Sequence, residues 1–323
     1  MWHSIERLFW PTFSKEDNVK KLLVVGLTLF LLASVVAIAQ VEPVSMDVET
    51  ALSYYQNDGF TIECSDTGHA QLLGIIDAFK AVLAVPADLD ETNEDKVGAF
   101  AIDMSLKDIV NKLSQAYYTL GNVFVDPSDN EDIYTKGKNW GLKSLRMNPE
   151  FAKLEKKRFD TAAAAETDVA ALYWTNSNWL RVAQKHPLQS VMAGVTKRTG
   201  AIMNRLLELD TSYLSGGIYR SYGAYYSGLP IGKDMDKALA FLCHVVDEPD
   251  YCADEEKVPN ADEYFENRSF FVEFYLMPKK QWEDAARILQ SIIDDPIGDK
   301  FPFMNAYSHE HAQELLAEVQ KHL

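Results

Sequence analysis

Residues 213–226 combine three glycines, five tyrosines and one arginine in one short segment. Gly216 and Gly217 permit backbone conformations that other residues avoid, so a helix can begin abruptly at this pair. Arg220 then lies beside almost no side-chain bulk, because Gly223 follows it at i+3 on the helix surface. A guanidinium is a planar fork of donors that matches a carboxylate. The segment predicts that Arg220 holds an acidic ligand group, and an ion pair within the protein is the alternative.

The tyrosines of this segment follow a helical period. Tyr219, Tyr222 and Tyr226 are spaced i, i+3 and i+7, which places them on one face of a helix. A helix that only packs would carry Leu and Ala on such a face. We therefore expect Tyr222, Tyr225 and Tyr226 to form either a wall of the ligand pocket or a contact between copies of the chain.

A second segment, residues 172–183, places aromatic and amide groups on one stripe. Trp174, Asn178 and Arg181 are spaced i, i+4 and i+7 and share a helical face. An amide beside an aromatic ring is a common way to orient a small ligand in a mostly apolar pocket. We expect Tyr173, Trp174 and Asn178 to line such a pocket, and a purely structural role in the core is the alternative.

Composition and motifs argue against several classes of function. The formal net charge of −17 makes the chain a poor partner for nucleic acid, because that affinity depends on Lys and Arg neutralising phosphates. No nucleotide-binding, nucleophile-elbow or metalloprotease motif occurs, and His309 and His311 diverge on a helix since they are two residues apart. We predict no catalytic residue, no cofactor and no metal, and a protein that is not an enzyme.

The cysteines bear on the compartment of the protein. Cys64, Cys243 and Cys252 are too few and too scattered for a disulfide scaffold or a zinc site. In an oxidising compartment Cys243 and Cys252 could pair across the short loop that contains Pro249. The sequence alone leaves this pairing open.

The elements that must position these residues are helices, broken by acidic loops or by loops rich in Pro and Gly. The acidic stretch 88–95 is predicted to be a solvated turn. We predict an all-α fold with helices near residues 47–57, 68–84, 105–124, 129–147, 150–160, 166–185, 188–209, 217–228, 234–247, 261–277, 280–294 and 308–322.

Three stretches share a partial repeat pattern. Residues 117–151 and 271–296 each show an aromatic start, a small residue in a second helix and a closing proline, and residues 232–239 resemble a second helix alone. This pattern is typical of tetratricopeptide repeats, in which each helix pair buries its apolar face against the next pair. We therefore predict a helical-repeat architecture made of tetratricopeptide-like helix pairs.

The start of the chain has the pattern of a membrane or signal segment. Residues 22–39 form an apolar run with lysines before it and acidic residues after it, which predicts export of the following chain. We expect a cytoplasmic flank at 1–21, a transmembrane anchor or signal segment at 22–40 and a periplasmic helical-repeat domain at 41–323. Ala37-Ile38-Ala39 before Gln40 has the small-x-small form of a cleavage site, so a cleaved signal peptide is the alternative to an inner-membrane anchor.

The two aromatic segments also resemble segments of a known protein family. Over roughly residues 105–320 the chain resembles the TRAP-transporter-associated tetratricopeptide family, the T component (TatT) of tripartite ATP-independent periplasmic transporters. It departs from that family in lacking a lipoprotein cysteine after the apolar run, and in having Ile218 and Ser221 in the glycine segment. The resemblance lies in Ala171-Leu172-Tyr173-Trp174 with Asn178-Trp179, in Gly216-Gly217-Ile218-Tyr219-Arg220 with Gly223-Ala224-Tyr225-Tyr226 and Pro230, in 234–238, and from 282 to the last helix.

The resemblance implies an all-helical protein of the bacterial periplasm that associates with a solute-binding protein feeding a membrane permease. It also implies a homotrimer with pores suited to an apolar ligand bearing an acidic group. We thus expect a TRAP accessory protein that binds or relays a small, partly apolar organic acid; the alternative is a membrane-anchored scaffold that binds only proteins. The expected ligand-binding residues are Tyr173, Trp174, Asn178, Gly216, Gly217, Arg220, Tyr222, Tyr225 and Tyr226.

Overall fold

A computed structural model describes residues 41–252 and 256–323. The cytoplasmic flank and the membrane or signal segment predicted at residues 1–40 lie outside this part of the chain. Within it, fifteen α-helices dominate, so the all-α class is confirmed. None of these helices has the length and apolarity needed to cross a bilayer.

The first elements share an apolar core with residues 109–120, Trp140 and Phe303, and they include a turn that the sequence did not predict. The helix expected over 47–57 is wrong beyond Ser53, since a two-stranded antiparallel hairpin follows it. Asn57 and Asp58 at its turn both have positive φ, of 50° and 60°, a conformation that Asn and Asp tolerate better than most residues. The elements are α1 (Val48–Ser53), β1 (Tyr55–Gln56), β2 (Gly59–Phe60), α2 (Asp66–Val82) and α3 (Glu94–Ala99).

The acidic loop 88–95 is not a fully solvated turn, and that prediction is wrong for Glu91. Its side chain is 6% exposed and accepts hydrogen bonds from Lys80 (2.6 Å), Tyr117 (2.6 Å) and the Trp140 indole (2.7 Å). Burial raises the pKa of Glu91, but these three donors outweigh burial and hold it below its usual value. Glu91 therefore ties the loop to the core beneath it.

The middle of the chain forms the helices that enclose the site. Asp168 begins α8 by accepting a hydrogen bond from Ala171 N (3.0 Å), as an N-cap should. The single helix predicted over 188–209 is wrong, because Gly194 adopts φ +70° and divides it in two. The elements are α4 (Lys107–Thr119), a π-helix (Leu120–Phe124), α5 (Glu131–Arg146), α6 (Pro149–Leu154), α7 (Phe159–Ala165), α8 (Val169–Lys185), α9 (Pro187–Met192) and α10 (Val195–Leu209).

The last third packs on the middle through α11, which contacts α8 and α10. Cys243 and Cys252 form a disulfide with their Cα atoms 5.2 Å apart, as expected for an oxidising compartment. The elements are α11 (Tyr213–Gly228), α12 (Met235–Leu242), α13 (Glu266–Phe271), a second π-helix (Val272–Leu276), α14 (Trp282–Asp294) and α15 (Pro302–Val319).

Neighbouring helices pack as pairs along much of the chain. Helix α4 lies on α5, α5 on α8, α11 on α12, and α14 on α15. Apart from these pairs, α8 contacts α4, α10 and α11. Helix α8 is therefore surrounded by neighbours, and nine consecutive residues of it, 171–179, are buried.

Candidate ligand-binding site

Two interior cavities meet beside α8. The first, here called the hairpin cavity, is an unfilled space of about 640 Å³, part of it open to solvent. Its walls come from the β1–β2 hairpin, α4, α8, the start of α11 and the chain before α15. The aromatic side chains in its lining include Tyr118, Tyr173, Trp174, Tyr264 and Phe303.

The second, here called the arginine cavity, is an unfilled space of about 430 Å³, part of it open to solvent. It shares Tyr118, Tyr173 and Glu266 with the hairpin cavity, so these three side chains stand at the junction of the two. Two guanidinium groups, of Arg181 and Arg220, line it on the sides of α8 and α11. The pair of cavities thus offers an aromatic region at one end and cationic groups at the other.

Arg181 has the stronger case as an anion-binding group. It donates one good hydrogen bond, to Asn122 Oδ1 at 2.8 Å, while the Tyr118 hydroxyl and Gln184 Oε1 stand at 3.5 Å. All three are neutral groups, whereas a guanidinium carries five N–H donors and a full charge. Arg181 therefore has N–H donors that could bind a carboxylate in the arginine cavity. Spacing places Arg181 on the face of Trp174, yet the sequence-based prediction of site residues omits it.

Arg220 is largely satisfied by the protein. It is 2% exposed; its Nε lies 3.3 Å from Glu266, and its Nη1 donates to Leu214 O (3.0 Å) and Asn267 Oδ1 (2.6 Å). Its Cζ sits 4.4 Å from the centre of the Tyr264 ring. The alternative of an internal ion pair is thus the arrangement found. Only Nη2, buried at the cavity wall, finds no hydrogen-bond partner among the residues that the structure describes.

The glycine pair shapes the backbone around Arg220. Leu214, Ser215 and Gly216 all have positive φ, forming a left-handed turn before the helix, which costs roughly 1–2 kcal/mol for each non-glycine residue. Arg220 and Asn267 compensate by donating to carbonyls of this turn. Gly217 is needed for space, since a Cβ there would lie 2.7 Å from the Tyr173 ring. Both glycines position the site through the main chain.

Tyr173 and Trp174 lie where the sequence analysis expected them, on the wall of the hairpin cavity. Their rings meet edge to face at 5.0 Å, and the Trp174 indole donates to the Tyr213 hydroxyl at 3.2 Å. Burial raises the pKa of Tyr173 to about 12 although Arg220 acts against it, so the phenol is neutral at physiological pH. The pair offers a neutral, mostly apolar surface with one hydroxyl.

Asn178 lies in a helix contact and lines none of these cavities. Its Nδ2 donates to Ser114 O (3.0 Å) and Trp174 O (2.9 Å), and its side chain is fully buried. It occupies the space beside Gly137, where a Cβ would come within 2.2 Å of Asn178 Oδ1. The three residues predicted to share one helical face therefore have different surroundings: Trp174 and Arg181 face cavities, and Asn178 faces α5.

The tyrosines of α11 turn away from both cavities. Tyr222 and Tyr226 share one face, as their spacing predicts, and stack on Phe241 of α12 at 4.3 Å and 5.8 Å. Tyr225 instead lines a surface groove, with its hydroxyl 3.4 Å from Thr196 O. These three residues are therefore apart from Arg220 and Trp174.

Two π-helices, which the sequence analysis did not predict, flank the cavities. The first, Leu120–Phe124, brings Asn122 to Arg181. The second, Val272–Leu276, places Phe274 on the wall of the arginine cavity. Such segments are rare and frequently occur at functional sites. Nothing in the side-chain spacing marks them, because they change the backbone bonding pattern within a continuous helix.

A surface groove of about 510 Å³ lies beside α9 and the end of α11. Leu188, Met192 and Ile231 near it are 60%, 88% and 69% exposed, which is unusual for large apolar side chains. The sequence has no acidic residue from 169 to 207, whereas Lys197 and Arg198 in this range are exposed. This apolar groove has no acidic residue in its lining, in contrast with the acidic character of the whole chain. Its lining includes Leu180, Ala183, Pro187, Val195, Ala224, Tyr225, Leu229 and Pro230.

The fold places the chain in the class of all-helical proteins with an aromatic and cationic interior cavity. A model of the TRAP transporter T-component family matches residues 107–322, and the chain belongs to that family. Membership indicates an accessory role in a TRAP transport system, in the bacterial envelope, and the family is not one of enzymes. A search of curated proteins found no significant match.

Proposed function

We propose that this chain is a periplasmic T component that binds or relays a small, partly apolar organic acid and docks the solute-binding protein of its TRAP system. One observation carries the ligand part: Arg181, whose hydrogen bonds go to neutral groups, borders a cavity that continues into an aromatic one. A cation shielded from water is stabilised most when a carboxylate supplies both the opposite charge and hydrogen-bond acceptors.

In this proposal the acid group binds Arg181 and takes a further hydrogen bond from Nη2 of Arg220. The apolar body of the ligand extends past Tyr173 and Trp174 into the hairpin cavity. Arg220 differs from the role first expected, because Glu266 already neutralises much of its charge at 3.3 Å. It orients the acid, and Arg181 supplies most of the attraction.

The docking part draws on the apolar groove. A contiguous exposed apolar surface on a soluble domain is typical of a protein-interaction site. Lys197 and Arg198 are exposed on α10, the helix that also supplies Val195 to the groove, and they favour a partner whose contacting surface carries carboxylates. We assign this groove to the solute-binding protein.

The family resemblance supports further parts of the proposal. We propose that residues 22–40 anchor the chain in the inner membrane and that the chain assembles as a homotrimer. The packed pairs α4–α5, α11–α12 and α13–α14 coincide with the three partial repeats and are proposed to be tetratricopeptide-like.

The ligand proposal is tested by native mass spectrometry of the full chain, purified in mild detergent from its own host. We expect a bound small acid that is lost in Arg181→Gln and kept in Arg287→Gln, a control on an exposed arginine paired with Glu248. Retention of the bound mass in Arg181→Gln would remove the proposed acid site.

The second candidate function is a scaffold that binds proteins only. The internal bonding of Arg220 and the helix-contact position of Asn178 favour it, since two expected ligand contacts serve the fold instead. A protein that carries no small molecule, yet loses its solute-binding partner on Met192→Glu, would support the scaffold.

A further inference from the structure

Residues 41–106 precede the part of the chain that matches the family model, and no role is predicted for them from the sequence. The β1–β2 hairpin in this segment contributes Gln56, Gly59, Phe60 and Thr61 to the lining of the hairpin cavity. We propose that this hairpin forms the end wall of the ligand cavity and sets the longest acid that the cavity accepts. This inference depends on the ligand proposal above, and it concerns residues outside the family match.

One buried residue of α4 holds the hairpin in place. Gln115 is 2% exposed; its Oε1 accepts from the Tyr55 hydroxyl at 2.5 Å and its Nε2 donates to Asp58 O at 2.7 Å. The first strand and the turn of the hairpin are thus fixed to the helix that also carries Tyr118. The hairpin is therefore a fixed wall, built into the same body as the aromatic side chains.

The turn of the hairpin closes the cavity against the chain before α15. Asn57 Nδ2 donates to Lys300 O at 2.9 Å, and Phe301 and Pro302 line the cavity beside this contact. The left-handed conformations of Asn57 and Asp58 aim the turn in this direction. A ligand that extends from Arg181 through the junction at Tyr173 would meet this closed end.

The chemistry of the end wall defines what it admits. The end of the cavity mixes apolar and polar side chains: Phe60 is 4% exposed and Phe301 packs edge to face on Tyr264, while Asp58, Thr61 and Lys300 also line it. A terminal methyl group fits against the two phenylalanines. A second carboxylate would lie near Asp58, and Lys300 is already paired with Glu263 at 2.9 Å. The expected ligand class is a monocarboxylate with an apolar tail of limited length.

A series of straight-chain monocarboxylates, from butanoate to tetradecanoate, tests the inference by isothermal titration calorimetry on the full chain. Each methylene buried should tighten binding about fourfold until the tail reaches the hairpin, after which affinity stops rising or falls. We call the chain length at which affinity stops rising the break. Because Thr61→Trp adds side-chain volume to the wall, we expect the break to occur at acids shorter by about two to four methylenes. Ser53→Trp, on the exposed side of α1, is the matched control and should leave the break in place.

The outcomes separate the two proposals. If Thr61→Trp and the wild type share the same break while both bind carboxylates, the hairpin is not the end wall and the inference is overturned. Arg181→Gln should weaken acids of every length without moving the break, because it acts at the other end. If the wild type binds no acid of any length, the ligand proposal itself fails, and this inference with it. Thermal unfolding of each variant confirms that it is folded.

Discussion

Replacing Arg220 by methionine removes a guanidinium that the structure makes central to the fold. The substitution leaves Glu266 buried without its partner and takes donors from Leu214 O and Asn267 Oδ1. It also removes the cation that lies 4.4 Å from the Tyr264 ring centre. Methionine keeps an unbranched apolar stem of similar reach, so the loss is mainly one of charge and hydrogen bonds.

The magnitude follows from these contacts. Removing one partner of a buried ion pair costs about 3–5 kcal/mol, because the other charge is left uncompensated. The contact with Tyr264 adds up to about 2 kcal/mol when desolvated, but such terms share one side chain and do not add fully. Since Asn267 still holds Ser215 O at 3.0 Å, the left-handed turn keeps part of its support. We expect Arg220→Met to lower the free energy of unfolding by about 4 kcal/mol.

Urea unfolding followed by circular dichroism measures this loss. Arg287→Met is the control, because that exposed pair with Glu248 should contribute at most about 1 kcal/mol. Adding Glu266→Gln to Arg220→Met should recover about 2 kcal/mol by removing the isolated charge. If Arg220→Met costs no more than the control, Arg220 does not stabilise the turn, and its burial would need a ligand-based explanation.

Two further predictions concern the last third of the chain. Replacing Cys243 and Cys252 together by serine opens a cross-link over nine residues, and we expect a loss of about 2.6 kcal/mol in free energy of unfolding by urea titration; an unchanged midpoint would contradict this. Burial lowers the pKa of His311, but the hydrogen bond and charge of Glu273 outweigh burial and raise it above 6.5. The stability that the His311–Glu273 pair contributes is fully present below the unfolded pKa of His311 and is lost as pH rises through its folded pKa. Glu273→Gln should therefore lower the pKa of His311 in an NMR titration. The same pKa in both proteins would refute the pairing.

Much of the helical framework was predictable because its boundaries are local. The predicted helix over 68–84 begins after Ser65, whose side chain accepts from Gly68 N, and α5 ends just before Asn148-Pro149, as expected. Such caps and prolines act within a few residues, so spacing alone reveals them. The family membership and the all-α class followed from these patterns together with the two aromatic segments.

The failures arise where a distant contact decides the outcome. The helix predicted to 57 gives way to a hairpin that Gln115, far along the chain, fixes in place. Periodicity places Asn178 and Arg181 on the same helical face. In the structure, however, Asn178 packs against Gly137 of α5, whereas Arg181 borders a cavity. In the sequence Glu91 does not differ from the other carboxylates of its acidic loop, but in the structure it accepts hydrogen bonds from Trp140 and Tyr117. These residues depend on tertiary neighbours that a single sequence does not display.

The acid-free stretch around the apolar groove has a consequence for how the molecule meets its partners. The stretch 169–207 has no acidic residue and exposes Lys197 and Arg198, so it forms a locally basic surface on a chain of net charge −17. In the field of an acidic partner such an uneven charge distribution produces a torque that turns the basic surface towards the partner before contact. We expect this torque to raise the share of collisions that begin in the docking orientation. The advantage fades with rising ionic strength, because the Debye length shrinks to about 8 Å at physiological salt.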